Sequence, residues 1–121
     1  MHSTLTLHPG ALTLAQLIDI HAGQVQLQLP EANRAAIRAS QQVVQNAADG
    51  DAPVYGVNTG FGKLANQRIS KSQLATLQLN LIRSHCVGVG EPLQPAVMRL
   101  MLALKAASLA RGFSGRLGRA G

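Results

Sequence analysis

The sequence predicts a mainly α-helical chain, and three observations carry that prediction. Apolar residues make up 46% of its 121 residues, yet only Tyr55, Phe61 and Phe113 are aromatic, so any core is built from aliphatic side chains and alanine. Leucine, methionine and alanine are good helix formers. Four segments repeat their apolar residues at helical intervals, and start and stop signals bracket them.

Residues 4–7 alternate polar and apolar and fit one short strand, which Pro9 and Gly10 end. Thr13 and Gln16 have capping-box spacing, Leu14, Leu17 and Ile18 supply an apolar stripe, and Gly23 can take the left-handed stop. The first helix is therefore predicted over residues 14–22. A second runs from Pro30, well placed in a first turn, through Ile37, Val43 and Val44 to about Ala48, with Asp49 and Gly50 as its exit. Residues 51–69 lose helical periodicity and hold Pro53, Gly56, Gly60 and Gly62, which predicts a loop. Ser70 and Gln73 repeat the capping-box spacing before Leu74, Leu77, Leu81 and Ile82, giving a third helix that ends near His85 and is closed by Gly88 and Gly90. Pro95 starts a fourth, with Val97, Leu100, Met101, Leu104 and Ala107 on one face, running to Arg111 before Gly112. Four helices with a glycine loop between them do not make a self-contained bundle, so a piece of a larger helical protein is expected.

Composition also sets aside several functional classes. With 46% apolar and 13% charged residues the chain is no disordered segment. Polar residues interrupt every apolar run before the roughly 18 to 20 residues a membrane span needs, and the start lacks the basic region and apolar block of a signal peptide. A cytoplasmic protein with no membrane partner is expected. The single cysteine, Cys86, cannot form an internal disulfide, and it has no metal-ligand spacing with His2, His8 or His21, so no metal site is expected. The net charge of +6 raises nucleic acid as a partner. Its lysines and arginines are spread along the chain with no interleaved aromatic platforms, so no nucleic-acid partner is expected.

Two stretches carry the candidate chemistry. The first is Tyr55, Gly56, Val57, Asn58, Thr59, Gly60, Phe61, Gly62, Lys63. It is not a phosphate loop: five residues rather than four separate Gly56 from the Gly62-Lys63 pair, and Leu64 stands where serine or threonine would meet magnesium. Three glycines in seven residues make either a tight connection with Tyr55 packed, or a backbone that approaches a ligand closely. The second stretch, from Asn80 to Gly90, sets His85 at a helix end beside a glycine turn. By itself that histidine reads as a helix-dipole partner, a packing residue or a catalyst. Cys86 reads as a plain thiol, with no partner identified for a nucleophile.

Taken together, the order and wording of these stretches resemble the aromatic amino acid ammonia-lyases. In that family a Tyr-Gly-Val-Asn-Thr-Gly-Phe-Gly loop, here residues 55–62, precedes a Leu-Gln-x-Asn-Leu helix, here residues 77–81, and a Gly-Val-Gly turn, here residues 88–90. The similarity extends to Leu-Ala-Arg-Gly-Phe-Ser-Gly at residues 109–115. Ser84-His85 before the turn resembles the histidine-specific branch. Tyrosine-specific members tend to place the histidine one position earlier, before leucine, and phenylalanine-specific members tend to have Phe-Leu.

The resemblance implies the amino-terminal part of a fumarase/aspartase-like helical lyase, a carbon–nitrogen lyase whose full-length form converts L-histidine to urocanate and ammonia, the first step of histidine degradation, as a homotetramer. It implies a methylidene-imidazolone electrophile made by cyclisation of Ala-Ser-Gly. Tyr55 matches the loop tyrosine assigned to acid–base work, and a tyrosine serves as a base near neutrality only where its site favours the phenolate, because a phenol ordinarily titrates near about 10. His85 matches the residue near the substrate imidazole, which a ring nitrogen can orient. Gly56, Asn58, Thr59, Gly60 and Gly62 form the loop that supports the site.

One departure bears on activity. The chain contains no Ala-Ser-Gly: Ala39-Ser40 is followed by Gln41 and Ala107-Ser108 by Leu109. After Gly115 the wording leaves the family pattern for Arg-Leu-Gly-Arg-Ala-Gly. An incomplete amino-terminal lyase domain over residues 1–115, a non-family tail over 116–121, and no activity from this chain alone are therefore expected. Two rivals stand beside that reading: a tyrosine- or phenylalanine-specific lyase or aminomutase relative, and a non-catalytic fragment that acts only as an interaction module.

Overall fold

A computed structural model describes residues 3–114, and the tail expected over 116–121 lies outside the described residues. In chain order the elements are β1 (Ser3–Thr6), α1 (Leu14–Ala22), β2 (Val25–Gln28), α2 (Glu31–Asp49), a 3-10 turn at Gly62–Leu64, α3 (Lys71–His85) and α4 (Pro95–Leu109). The chain is mainly helical, as the sequence predicts. It divides into two compact units, one made of the residues up to Gln41 together with those from Pro92 onward, the other of Gln42–Glu91.

In the first unit β1, α1 and β2 form a strand–helix–strand crossover with β1 and β2 parallel. Leu5 faces Leu27 across the pair, and Leu7, just past β1, donates its N–H to Gln28 O at 2.8 Å and is buried. The sequence reading left β2 unassigned, although Val25-Gln26-Leu27-Gln28 alternates apolar and polar. A four-residue run carries a weak periodic signal, and this one gains its identity from pairing with β1 across the intervening helix.

The predicted limits of α1 hold. Thr13 Oγ1 accepts the Gln16 N–H at 3.3 Å, Gln16 Oε1 accepts the Thr13 N–H at 3.0 Å, and Gly23 ends the helix at φ 73°. The end is also tied from α4: Arg99 donates from Nε to Ile20 O at 3.2 Å and from its terminal nitrogen to His21 O at 2.6 Å, which satisfies carbonyls that α1 cannot pair internally.

The second capping box does not form. Ser70 is the residue before α3, but its hydroxyl donates to Gln73 Oε1 at 3.1 Å instead of accepting a backbone N–H. The two polar side chains satisfy each other, so the spacing alone was insufficient.

The core of the first unit is built from small residues. Ala103, Ala107 and Ala110 are the buried positions at the α4 end, joined by Ile20 of α1, Ile37 of α2 and Leu7. The large side chains of the predicted α4 face, Val97, Met101 and Leu104, are exposed, as are Leu14 and Ile18 of α1. Alanine lets two helices approach closely, so the buried stripe of α4 keeps Ala107 and half-buried Leu100 of the predicted face but continues through Ala103 and Ala110, and leaves Val97, Met101 and Leu104 outside. Asn33 Nδ2 donates to Ala110 O at 3.3 Å, and a side chain at Gly112 would meet the Ala36 backbone at 2.9 Å, so the glycine permits this close contact at the end of α4. Among the described residues no helix is long and apolar enough to cross a membrane.

Candidate active site

The predicted loop is an ordered structure closed at its base. Arg68 donates to Gly50 O at 2.7 Å and to the carbonyl and carboxylate oxygens of Asp51 at 3.2 and 3.1 Å. Above that clasp Thr59 and Arg68 pair as an antiparallel bridge, Gly60 donates to Gln67 O at 3.0 Å, and Ile69 donates to Asn58 O at 3.0 Å.

Asn58 is the centre of the loop and only 1% exposed. Its Oδ1 accepts the Val54 N–H at 2.7 Å, while Nδ2 donates to Ala47 O at 3.1 Å and Ala52 O at 3.0 Å. Both donor hydrogens and one carbonyl lone pair are thereby engaged, so Asn58 binds the loop to the end of α2. Thr59, equally buried, donates its hydroxyl to Gly60 O at 3.1 Å. A side-chain carbon at Gly60 would sit 2.6 Å from the Leu64 Cβ and 2.8 Å from its carbonyl oxygen, closer than atoms tolerate. These contacts make the residues read as loop support into the loop's framework.

Tyr55 stands at the corner of the first turn. The Val57 N–H donates to Val54 O at 3.0 Å, and Gly56 has φ 73°, the positive value a type II turn requires at its third residue. The turn leaves the Tyr55 side chain 63% exposed. Its ring meets the edge of Phe61, with centroids 5.9 Å apart and planes at 74°. Gly62, at φ 59°, starts the 3-10 turn that follows Phe61.

Helix α3 connects the loop to His85. Gln78 donates from Nε2 to Gly56 O at 3.4 Å. Leu74, Leu77 and Leu81 are half-buried, and Gln78 and His85 belong to the same helical stripe at i+4, i+7 and i+11 spacings. The seven-residue step from Gln78 to His85 corresponds to about 10.5 Å along the helix axis.

His85 is exposed in the last turn of α3. Its Nδ1 lies 2.8 Å from Leu81 O and 3.0 Å from Ser84 Oγ, whose hydroxyl donates to Leu81 O at 2.9 Å. A carbonyl oxygen only accepts, so the tautomer protonated at Nδ1 donates to Leu81 O and leaves Nε2 as the acceptor, whereas the other tautomer accepts at Nδ1 from Ser84 Oγ. Cys86, the residue after α3, is an exposed free thiol whose Sγ lies 3.6 Å from Arg83 O. Among the described residues no three histidine, cysteine, aspartate or glutamate side chains gather as metal ligands.

Three contributors to this arrangement were missed from sequence: Phe61, Gln78 and Arg68. Phe61 lay within the recognised motif, and the helical register of Gln78 with Leu74 and His85 was available. Arg68 had no such signal, since its partners lie 17 and 18 residues away.

A family model for aromatic amino acid lyases matches residues 12–117. The chain belongs to the aromatic amino acid lyase family. It is similar to a histidine ammonia-lyase of Roseobacter denitrificans, with 59% identity over 112 residues, and to one of Paracidovorax citrulli, with 54% over 112 residues. Each alignment covers 93% of this chain and 22% of the relative, so the chain spans about a fifth of their length. Among solved structures it resembles a tyrosine aminomutase of Streptomyces globisporus, at TM-score 0.83 and 27% identity over 94% of this chain and 22% of that one. The fold alone is shared with an ergothioneine-degrading enzyme of Treponema denticola, at TM-score 0.82 and 24% identity over 91% of this chain and 22% of that one.

Proposed function

We propose that this chain is the amino-terminal segment of a histidine ammonia-lyase, contributing an acid–base group, Tyr55, and a substrate-orienting group, His85. The observation that carries the histidine assignment is the contact of His85 Nδ1 with Leu81 O at the end of α3. With Nδ1–H held on Leu81 O, its Nε2 accepts, and the ring N–H of a histidine substrate is a matching donor. A phenylalanine ring offers no such donor, whereas a tyrosine hydroxyl does, so this contact separates histidine from phenylalanine. The 59% identity to a histidine ammonia-lyase, against 27% to a tyrosine aminomutase, supports the same choice.

In this reading Tyr55 exchanges a proton with the substrate from the exposed corner of its turn, while His85 holds the imidazole from the same stripe of α3 that carries Gln78. A general acid–base group in such a role contributes about a hundredfold to ten-thousandfold to rate. The family's methylidene-imidazolone would supply an electrophile for the departing amine. This chain holds no Ala-Ser-Gly from which the group is made, so its own residues contribute binding, orientation and proton transfer only. A cytoplasmic homotetramer of full-length subunits completes the proposal.

His85→Leu tests the assignment in a protein of the relatives' length that carries this segment. The Michaelis constant for histidine is expected to rise about tenfold or more, with improved relative use of amino acids bearing apolar rings. Unchanged affinity and selectivity would make His85 a helix-end residue alone and remove the main support for histidine.

A further inference from the structure

We infer that Phe61 and Gln78 are positioning residues for Tyr55, one fixing its ring and the other the backbone beside it. The inference rests on the reading of Tyr55 as the acid–base group, but the two contacts are properties of the loop itself.

A tyrosine at an exposed turn corner has two ways to lose its aim. Its ring can change rotamer, and the backbone that carries it can pivot. The edge-to-face contact at 5.9 Å opposes the first, because Phe61 presents a ring to the one wall the exposed phenol has. The second freedom is concentrated at Gly56, which has positive φ and no side chain to restrict it. Gln78 holds the carbonyl of that residue at 3.4 Å, so the most permissive backbone position in the turn is tethered to α3.

The loop framework described above reaches the first residue of the turn, where Asn58 Oδ1 accepts the Val54 N–H, and goes no further. The side-chain hydrogen bonds of Asn58, Thr59 and Arg68 go to residues other than Tyr55 and Gly56. Removing Phe61 or Gln78 therefore leaves the loop closed while freeing the phenol.

The chain offers a direct reporter, since Tyr55 is its single tyrosine and it has no tryptophan. Time-resolved fluorescence anisotropy of the 121-residue chain reads Tyr55 motion alone, and amide exchange at Val57 reads the turn. Gln78→Met keeps the length of the side chain without a donor, and Phe61→Leu removes the ring. Each is expected to enlarge the fast anisotropy component and to speed Val57 exchange about fivefold, as loss of one hydrogen bond or one aromatic contact allows. The thermal midpoint and Asn58 exchange should stay within error of the parent. Gln78→Lys, which restores a donor of similar reach, should return both signals to within twofold. Unchanged anisotropy and exchange in both variants would overturn the inference, and so would a parent chain whose Val57 exchanges at the random-coil rate. None of these readouts requires turnover, so a failure of Tyr55 in catalysis would leave the positioning result standing and would be seen separately.

Discussion

At the scale of single residues, the loop separates two kinds of polar side chain. Asn58 spends its hydrogen-bonding capacity on Val54, Ala47 and Ala52, whereas the Tyr55 side chain stands largely in solvent with one aromatic neighbour. Buried polar groups with partners made are structural in character, whereas an exposed ionisable group on a turn is open to a partner outside the loop. The sharpest residue-level test is Tyr55→Phe, which deletes one oxygen and almost no volume. In a protein of the relatives' length carrying this segment, turnover of histidine is expected to fall by about a hundredfold to ten-thousandfold with the thermal midpoint unchanged. Near-normal turnover in steady-state assays would remove Tyr55 from the chemistry. His85 differs in that one ring nitrogen, Nδ1, already lies against the helix end at Leu81 O.

At the scale of elements, local signals were legible where they were self-contained. Thr13 with Gln16 and Gly23 gave both ends of α1, because each signal is a hydrogen bond or dihedral made within a few residues. β2 was not legible, since its partner is β1, more than twenty residues earlier. The buried stripe of α4 was legible only in part for a related reason: Ala107 lies on the predicted face, but close packing in the first unit also uses Ala103 and Ala110 in place of the large residues Val97, Met101 and Leu104. In the loop, the motif wording names residues but leaves open how they are held; the clasp by Arg68 and the burial of Asn58 exist only once the chain has closed. Asn58→Ala tests that account of the loop. It strips three hydrogen bonds and leaves the Val54 N–H and two carbonyls to find other partners, a cost of about 2 kcal/mol or more. Chemical denaturation should show that loss together with faster amide exchange across residues 54–69. Parent-like stability would mean that the loop is held by something other than Asn58.

At the scale of the whole molecule, the described residues expose more aliphatic surface than a small soluble domain needs. Leu14, Leu17, Ile18 and His21 of α1 face Leu100 and Leu104 of α4 across an open groove of about 320 Å³, and Leu79 and Ile82 of α3 are also exposed. Contiguous apolar patches above a few hundred square ångströms commonly drive association. Purified residues 1–121 should therefore show concentration-dependent oligomers in sedimentation velocity, reduced by Ile18→Lys, whereas a monomer at every concentration would show that the groove is harmless in water. The same chain should form no urocanate, having no Ala-Ser-Gly of its own. The central claim, that this segment belongs to an enzyme built for histidine, meets its most direct test in one comparison: kcat/KM for histidine, tyrosine and phenylalanine, measured on a protein of the relatives' length carrying it. Urocanate and ammonia from histidine, favoured by about a hundredfold or more over either competitor, is the expected result. Equal or preferred elimination from tyrosine or phenylalanine, or a β-amino acid as the product, would contradict it.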